Sequence, residues 1–348
     1  MITLNRVLII RFSSLGDIIL LTPLFREIHK HFPGVQIDFL TSTTFAGVCA
    51  NNPHINQIIA LDRTKGISAL NRFISENPQD HYDLIIDAHR SLRSRLLLMK
   101  WLGIFSGFSQ KTALMNKRSF KRNILLQTGF NLMTNAVSQR EAYLNLIKRL
   151  TGPLKLASET ELFPDQTEKE SASNIVREHQ LKEGKVVALG PGASFQGKCW
   201  PKESFLELSE ALQNAGYQVI LLGSREEIEP PWIFENSRKK PLNLAGELSF
   251  RETAAILEHC HLVVSNDSAI VHFAEAMQVP ALAIFGPTVR GFGYAPFLNQ
   301  SRIMEINLKC RPCSRNGKGR CKNRIQRQCL REIRVERVLE ASLQILGR

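Results

Sequence analysis

Nowhere in the 348 residues is there a run of about 18 apolar residues, so no segment reads as a membrane-spanning helix. No small-residue cleavage site follows a hydrophobic core near the N-terminus, which argues against a secretory signal. The expectation is a cytoplasmic protein that touches an anionic inner membrane face peripherally at most. Internal repeats and low-complexity tracts are also missing. Three local shortages say more. The loop "RFSSLGD" (11–17) has one glycine, Gly16, where a dinucleotide fingerprint needs three. No Asp or Glu occurs from Ala88 to Arg140. No aromatic residue occurs in "CRPCSRNGKGRCKNRIQRQC" (310–329), so this basic stretch lacks the stacking platforms of a single-strand nucleic-acid binder.

What is present is an alternation. Hydrophobic residues make up 43% of the chain, enough for cores of ordinary size, and the length suits two domains. In the N-terminal half "VLII", "QIDFLTS", "QIIALD" and "DLIIDAH" alternate with helical patterns. In the C-terminal half "KVVALGPG", "YQVILLGS", "HLVVSND" and "PALAIFGP" do the same. Short apolar runs, each followed by a helical period, predict buried parallel strands in βαβ units. Ile18, Leu21, Phe25 and Ile28 predict a helix after the first strand. Others are predicted from about Gln166 to Gln180, from about Lys202 to Ala215 and over "VERVLEASLQIL". A stretch rich in Pro, Ser, Thr and charge, "TGPLKLASETELFPDQTEKESAS", marks the join. The fold class is α/β: two Rossmann-like domains, 1–165 and 166–348, whose parallel sheets face one another across a cleft.

Each loop of interest follows a predicted strand. In "NDSAIVHFAEA", Asn266 or Asp267 caps the next helix, leaving the N–H groups of Ser268 and Ala269 for a diphosphate. His272 follows Ser268 by four residues on the same face. The plainer reading is an Asp cap and a core histidine. "PGASFQGKCWP" offers the Ser194 hydroxyl and the Lys198 cation but is not a Walker loop, and a surface turn is the alternative. "GSREE" offers Glu226 and Glu227 either as ribose-hydroxyl acceptors or as solvated helix-start glutamates. Asp17 would repel a phosphate. It is either a helix cap or a general base whose pKa is raised by partial burial. The acid-free stretch carries His89, Arg90, Arg93, Arg95, Lys100, Lys111, Lys117, Arg118, Lys121 and Arg122. With a formal net charge of +13, it reads as an electropositive wall for an anionic substrate rather than a merely solvated face.

These motifs together resemble one family, the bacterial ADP-heptose:lipopolysaccharide heptosyltransferases of glycosyltransferase family 9. The resemblance spans nearly the whole chain. It rests on "VLIIRFSSLGDIILLTPLFREIHKHFPGVQIDFLT", "YDLIIDAHRSLRSRLL", "GPGASFQGKCWPKESFLELSEAL", "VILLGSREE", "NLAGELSFRETAAIL" and "VVSNDSAIVHFAEAMQVPALAIFGPT", in the family's order. It implies a GT-B fold, with 1–165 on the acceptor side and 166–348 holding the nucleotide sugar. It implies an inverting transfer without a catalytic metal, in which Asp17 is the base and Ser14 lies beside the donor phosphates. Ser194 and Lys198 would hold the diphosphate. Asp267, Ser268, Ala269 and His272 match the motif written D-[ST]-G-x-x-H, with Ala269 in place of the common glycine. Leu248 falls where an apolar side chain lines the adenine pocket, and Glu226 or Glu227 is the ribose acid. Cys199 stands where a basic residue is common. Arg90, Arg93, Arg95, Lys121 and Arg122 would receive the phosphates and acidic sugars of the lipopolysaccharide core.

Seven cysteines are an odd number, and four of them crowd into the last segment: Cys310, Cys313, Cys321 and Cys329. Their spacing reads as a structural zinc site, with two disulfides as the alternative. The segment follows the last strand and is expected to lie apart from the donor loops. Two rival functions remain open in sequence. One is a related glycosyltransferase using another sugar nucleotide. The other is a basic nucleic-acid-binding protein with a four-cysteine knuckle, disfavoured by the missing aromatics.

Overall fold

Apolar pentads and tetrads become the interior strands of two separate parallel sheets. The computed structural model describes residues 3–78, 81–102, 112–116, 118–130, 137–152 and 156–347. Residues group into two units: Met1–Arg118 with Gln139–Phe163, and Ser119–Ser138 with Pro164–Arg348. The segment Ser119–Ser138 thus goes with the second unit, whereas the linker composition assigns it to 1–165. In its helix Ser119–Thr128, buried Leu125 packs on Phe292, and Arg122 Nη2 donates to the Phe292 carbonyl at 2.8 Å.

The first unit carries β1 (Arg6–Ile10), β2 (Gln36–Ser42), β3 (Gln57–Leu61), β4 (Leu84–Asp87) and β5 (Thr112–Leu114), in the order β3-β2-β1-β4-β5. Every pair is parallel, with Ile10 opposite Asp87 at the shared end of β1 and β4. The second unit carries β6 (Val186–Gly190), β7 (Gln218–Leu221), β8 (Leu242–Asn243), β9 (Leu262–Asn266), β10 (Ala281–Ile284) and β11 (Arg302–Met304). Their order is β11-β10-β9-β6-β7-β8, again all parallel. Each sheet starts at its centre and winds outward in both directions, the doubly wound plan of a Rossmann domain. Its first and fourth strands are neighbours whose helices leave to opposite faces. The turns after β1 and β4, and those after β6 and β9, therefore meet at a topological switch point in each unit.

The interior strands match the apolar runs, because a strand buried on both faces has no polar alternation to blur it. β1, β4, β6, β9 and β10 are buried apart from half-exposed Arg6. The edge strands β5, β8 and β11 have two or three residues each, too short to show a period, and have no counterpart in the sequence reading. The helix expected after β1 is two helices, Leu15–Ile19 and Thr22–His31. Pro23 in the first turn of the second fixes its φ, lacks the N–H a continuous helix would need, and is tolerated only at such a start. In the second unit Trp200 anchors the core. It stacks edge-on against Phe205 at 5.0 Å and donates from Nε1 to the Ile333 carbonyl at 3.0 Å. Gly190 ends β6 because a side chain there would meet Ile270 Cγ2 at 2.7 Å, so glycine lets helix Ala269–Ala276 pack close. No helix among the described residues is long and apolar enough to cross a membrane.

Candidate active site

In the first unit the switch point is built around Asp17. Ser14 caps helix Leu15–Ile19, and Asp17 is its third residue, reaching back to the cap. Ser14 Oγ donates to Asp17 Oδ2 at 2.8 Å, so the hydroxyl expected beside the donor phosphates is committed to the carboxylate. Arg11, the residue just after β1, pairs with the same oxygen at 2.7 Å, and its Nη1 donates to the Ala88 carbonyl at 2.6 Å. Tyr143, from a helix far along the chain (Gln139–Leu144), donates its hydroxyl to Asp17 Oδ1 at 3.1 Å. Burial pushes the Asp17 pKa up, but Arg11 and the hydrogen bonds from Ser14 and Tyr143 outweigh it, and the net shift is downward. This corrects the expectation of a raised pKa. Sequence reasoning missed both Arg11 and Tyr143. Arg11 adjoins a motif but lacks a pattern that says which way it points, and Tyr143 is 126 residues away.

The basic residues are divided between the two units. Arg90, in a left-handed turn at φ 49°, donates its N–H to Asp87 Oδ1 and its guanidinium to the Met115 carbonyl. Arg93 reaches the Arg63 carbonyl at 3.4 Å, while Arg95 is exposed. Lys121 and Arg122 belong to the second unit. Lys121 is exposed, and Arg122 lies over the rings of Phe292 and Tyr294, 5.6 and 5.8 Å from their centroids. Lys111 and Lys117 lie outside the described residues.

In the second unit the switch point gathers the loops after β6 and β9. Lys198 ends a 3-10 turn, Gln196–Lys198, and its Nζ meets Asp267 Oδ2 at 2.8 Å and the Asp267 carbonyl at 2.7 Å. Thr288, in the loop after β10, donates to the same carboxylate oxygen at 2.7 Å. Asn266 accepts from Trp200 N–H and donates to the carbonyls of Pro191 and Gly192, tying the two loops together. Neither Asn266 nor Asp267 caps the helix, contrary to expectation. Ser268 is the cap residue of Ala269–Ala276, and no side chain among the described residues caps that helix. Ser265 spends its one hydrogen on the Gly190 carbonyl, so Ser268 Oγ donates to Ser265 Oγ at 3.0 Å. The helix start is left as a cluster of N–H groups with the positive end of the dipole beside an ammonium group, the usual make-up of an anion site. Ala269 is the first helical residue, so glycine is not required there. His272 is buried with its ring 6.4 Å from that of Tyr294. Ser194 is exposed just before the 3-10 turn, and Leu248 is half-buried ahead of helix Phe250–Leu257.

The two glutamates after β7 differ. Glu226 is exposed, and its carboxyl pKa is lowered by its own backbone N–H and by the Ser224 hydroxyl. Glu227 turns inward against Gly192 and Gly223, and side chains at those glycines would collide with its carboxylate. Burial, then the charge of Glu229, push its pKa up to about 7.

The cysteine segment, expected to lie apart, contacts the loops after β6 and β10. Cys313 N–H donates to the Pro287 carbonyl at 3.1 Å, and Arg327 Nη1 donates to the Gln196 carbonyl at 3.1 Å. All seven cysteines are free thiols. Burial first, then the neighbouring Cys310 and Cys321, raise the pKa of Cys313. Cys329 is pushed up to about 11, by burial and then chiefly by Cys313. Among the described residues no three His, Cys, Asp or Glu side chains are grouped closely enough to hold a metal ion.

Residues 71–322 match the model of glycosyltransferase family 9 (heptosyltransferase), well over half of the chain. The chain belongs to this family. Lipopolysaccharide heptosyltransferase 3 of Escherichia coli is 25% identical over 285 residues, covering 78% of this chain and 81% of that protein. A family 9 glycosyltransferase from Veillonella parvula superposes with a TM-score of 0.82 at 21% identity, over 99% of this chain and 98% of its own. The structure of Escherichia coli ADP-heptose LPS heptosyltransferase II gives 0.74 at 23% identity, over 98% of both chains. The fold is GT-B, and this family member is a glycosyltransferase.

The Asp17 cluster makes a testable demand. A folded-state pKa below the ordinary carboxylate value adds stability that is present above that value and is lost as pH falls through the folded pKa. Arg11→Met leaves the carboxylate buried without its cation, so unfolding free energy should fall by about 3–5 kcal/mol near neutrality. The deficit should shrink in mild acid, where the variant's Asp17 protonates. Denaturant titrations at about pH 8 and about pH 4.5 check this, and an identical deficit at both would remove the pair from the stability of the site.

Proposed function

We propose that the chain moves heptose from ADP-heptose to a hydroxyl of the lipopolysaccharide inner core, with inversion at the sugar. The family membership and the names of the relatives support the donor and acceptor. The single observation that carries the donor side is the Lys198–Asp267–Thr288 set beside the uncapped start of helix Ala269–Ala276. Lys198, Ser194 and the N–H groups of Ser268 and Ala269 take the diphosphate. Asp267 holds the lysine rather than the phosphate. Glu227, half-buried at the ends of β6 and β7, is the better ribose acceptor than exposed Glu226. Leu248 lines the adenine, and His272 stands by the sugar.

In the transfer step the acceptor oxygen bonds to the anomeric carbon as the bond from that carbon to the ADP oxygen breaks. ADP leaves with the electron pair, and its growing charge is taken up by Lys198 and the helix start. The acceptor proton passes to Asp17. A carboxylate of low pKa suits this step, because the attacking hydroxyl becomes strongly acidic once it bonds to an oxocarbenium-like carbon. Arg93 and Arg95 of the first unit and Lys121 of the second offer cations for the acceptor's phosphates and acidic sugars, while Arg90 braces the Met115 carbonyl and Arg122 the Phe292 carbonyl. A related transferase using another sugar nucleotide is the second reading. The nucleic-acid reading gains nothing from the donor set.

Two further proposals complete the reading. The protein is cytoplasmic and meets an anionic membrane through the face where helices Gly66–Glu76 and Leu92–Leu102 start. Ile67 and Leu92 are exposed at those starts, and Leu96 and Met99 further along the second helix, with exposed Arg63, Lys65, Arg95 and Lys100 on the same segments. Apolar side chains set in a basic frame complement an anionic lipid surface. A zinc ion on Cys310, Cys313, Cys321 and Cys329 would be structural only. The thiols are near enough to raise one another's pKa, but metal would have to draw them closer.

Product analysis with a panel of sugar nucleotides and truncated lipopolysaccharide acceptors tests the activity. Asp17→Asn should keep ADP affinity and lower turnover by about 10²–10⁴-fold, and near-normal turnover would remove the base. Leu92→Glu with Leu96→Glu should lower binding to phosphatidylglycerol vesicles about tenfold or more while sparing turnover of a deacylated acceptor. Unchanged vesicle binding would reject that face. Elemental analysis of protein prepared under reducing conditions should find about one zinc per chain, and four free thiols without metal would reject it.

A further inference from the structure

The cysteine segment is the largest element that the transfer reading leaves without a task. Its contacts converge on the two loops that hold Asp267. Arg327 donates from Nη1 to the carbonyls of Gln196 at 3.1 Å and Cys199 at 3.5 Å, so one guanidinium grips both sides of the turn that ends at Lys198. Gly317, at φ 82°, lies against the lysine itself: a side chain at that position would stand 2.6 Å from Lys198 Cγ. The reverse contact is as close, because a side chain at Gly197 would collide with the Gly317 carbonyl. Lys198 is therefore fixed at its head by Asp267 and along its stem by the backbone of Gly317.

The other end of the segment holds Thr288. Arg311 is nearly buried and donates to the carbonyls of Gly286 at 2.5 Å and Thr288 at 2.9 Å, while pairing with Glu305 at 2.7 Å. Cys313 N–H takes the Pro287 carbonyl between them. Within the segment, Gly317 N–H donates to Ser314 Oγ, Asn323 Nδ2 to Cys310 Sγ and Arg327 N–H to Cys321 Sγ. Arg327 is thus tied to a thiol by one hydrogen bond, and Gly317 to Ser314, the residue next to Cys313 in the chain.

We infer that the segment Cys310–Cys329 is a positioning clamp for the donor loop, with Arg327 and Gly317 as the residues that hold Lys198 in place. The inference rests on the placing of Lys198 at the donor diphosphate. A flexible four-carbon stem loses rotamer freedom when it binds an anion, and a stem already confined loses less. The clamp therefore acts on donor affinity. Its members touch no substrate and are positioning residues.

The test measures ADP affinity by calorimetry and melting temperature side by side, in the full chain. Lys198→Ala alone examines the donor placement, and an unchanged ADP affinity there would reject that reading. Arg327→Met should weaken ADP binding by about tenfold, from the loss of charge-assisted hydrogen bonds to two carbonyls. It should raise the donor KM while leaving the acceptor KM. Arg327→Lys, which keeps a cation and a donor, should recover part of the affinity. In a Lys198→Ala background Arg327→Met should have little further effect on ADP, since coupled residues are not additive. Should Arg327→Met not fold, Gly317→Ala carries the same test by pressing on the lysine stem. A lowered melting temperature with wild-type ADP affinity in the folded variants, or effects that simply add to those of Lys198→Ala, would overturn the clamp.

Discussion

Parallel pairing of every strand places the chemistry. It puts the C-terminal ends of all strands along one edge of each sheet, and crossover helices must begin there. Helix starts carry unsatisfied N–H groups, and the turns that lead into them are free to vary. Because each sheet is wound outward from its centre, two of those turns diverge and leave a notch. Asp17 and the Asp87–Arg90 turn share one such notch. Lys198 and Asp267 share the other. The site residues are thus collected by topology before any side chain makes a specific bond.

Three carboxylates at these edges show how surroundings set the role of one chemical group. Asp17 is buried but has an arginine and two hydroxyls, so its pKa goes down. Glu227 is half-buried with a second glutamate for a neighbour, so its pKa goes up to about 7. Asp267 has a lysine whose ammonium is a compact, rotatable charge. Arg11 is different, because its planar fork also bonds the Ala88 carbonyl and cannot turn to a ligand without losing that bond. The arginine therefore holds the Asp17 carboxylate ionised from a fixed position, while the lysine pairs with Asp267 through a point charge.

Close backbone approach shapes the second unit. Gly190 admits helix Ala269–Ala276 to the end of β6, Gly192 leaves room for the Glu227 carboxylate, and Gly197 accepts the Gly317 carbonyl. The run "GPGASFQG" is therefore not simply a flexible phosphate loop. Its glycines are contact points with three different parts of the second unit, which is why the loop can be rigid while remaining open to a ligand. The cysteine segment supplies one of those contacts, and a stretch with few apolar residues of its own gains order by gripping its neighbours.

The sequence by itself determined the two parallel-sheet α/β domains and pointed to the segments after their strands in which the candidate residues lie. Strands such as β6 and β10 carry continuous apolar runs, because burial on both faces leaves a period-free hydrophobic signal that needs no partner to be read, and β2 matches "QIDFLTS" in extent although Asp38, Thr41 and Ser42 are polar and buried. Asp17, Lys198 and Asp267 stood out in sequence because each lies in the segment between such a strand and the long helix that follows it. What only the tertiary structure decided is who holds whom. Tyr143 on Asp17, Thr288 on Asp267 and Arg327 on the Lys198 turn join residues 126, 21 and up to 131 positions apart. The direction of the Asp17 shift was likewise undecidable, since burial and Arg11 oppose one another and only their distances say which prevails. Local pattern reports what a residue's neighbours in sequence allow. Charge pairs and backbone clamps depend on where the crossovers bring distant turns together, and a chain of residue types carries no record of that separation.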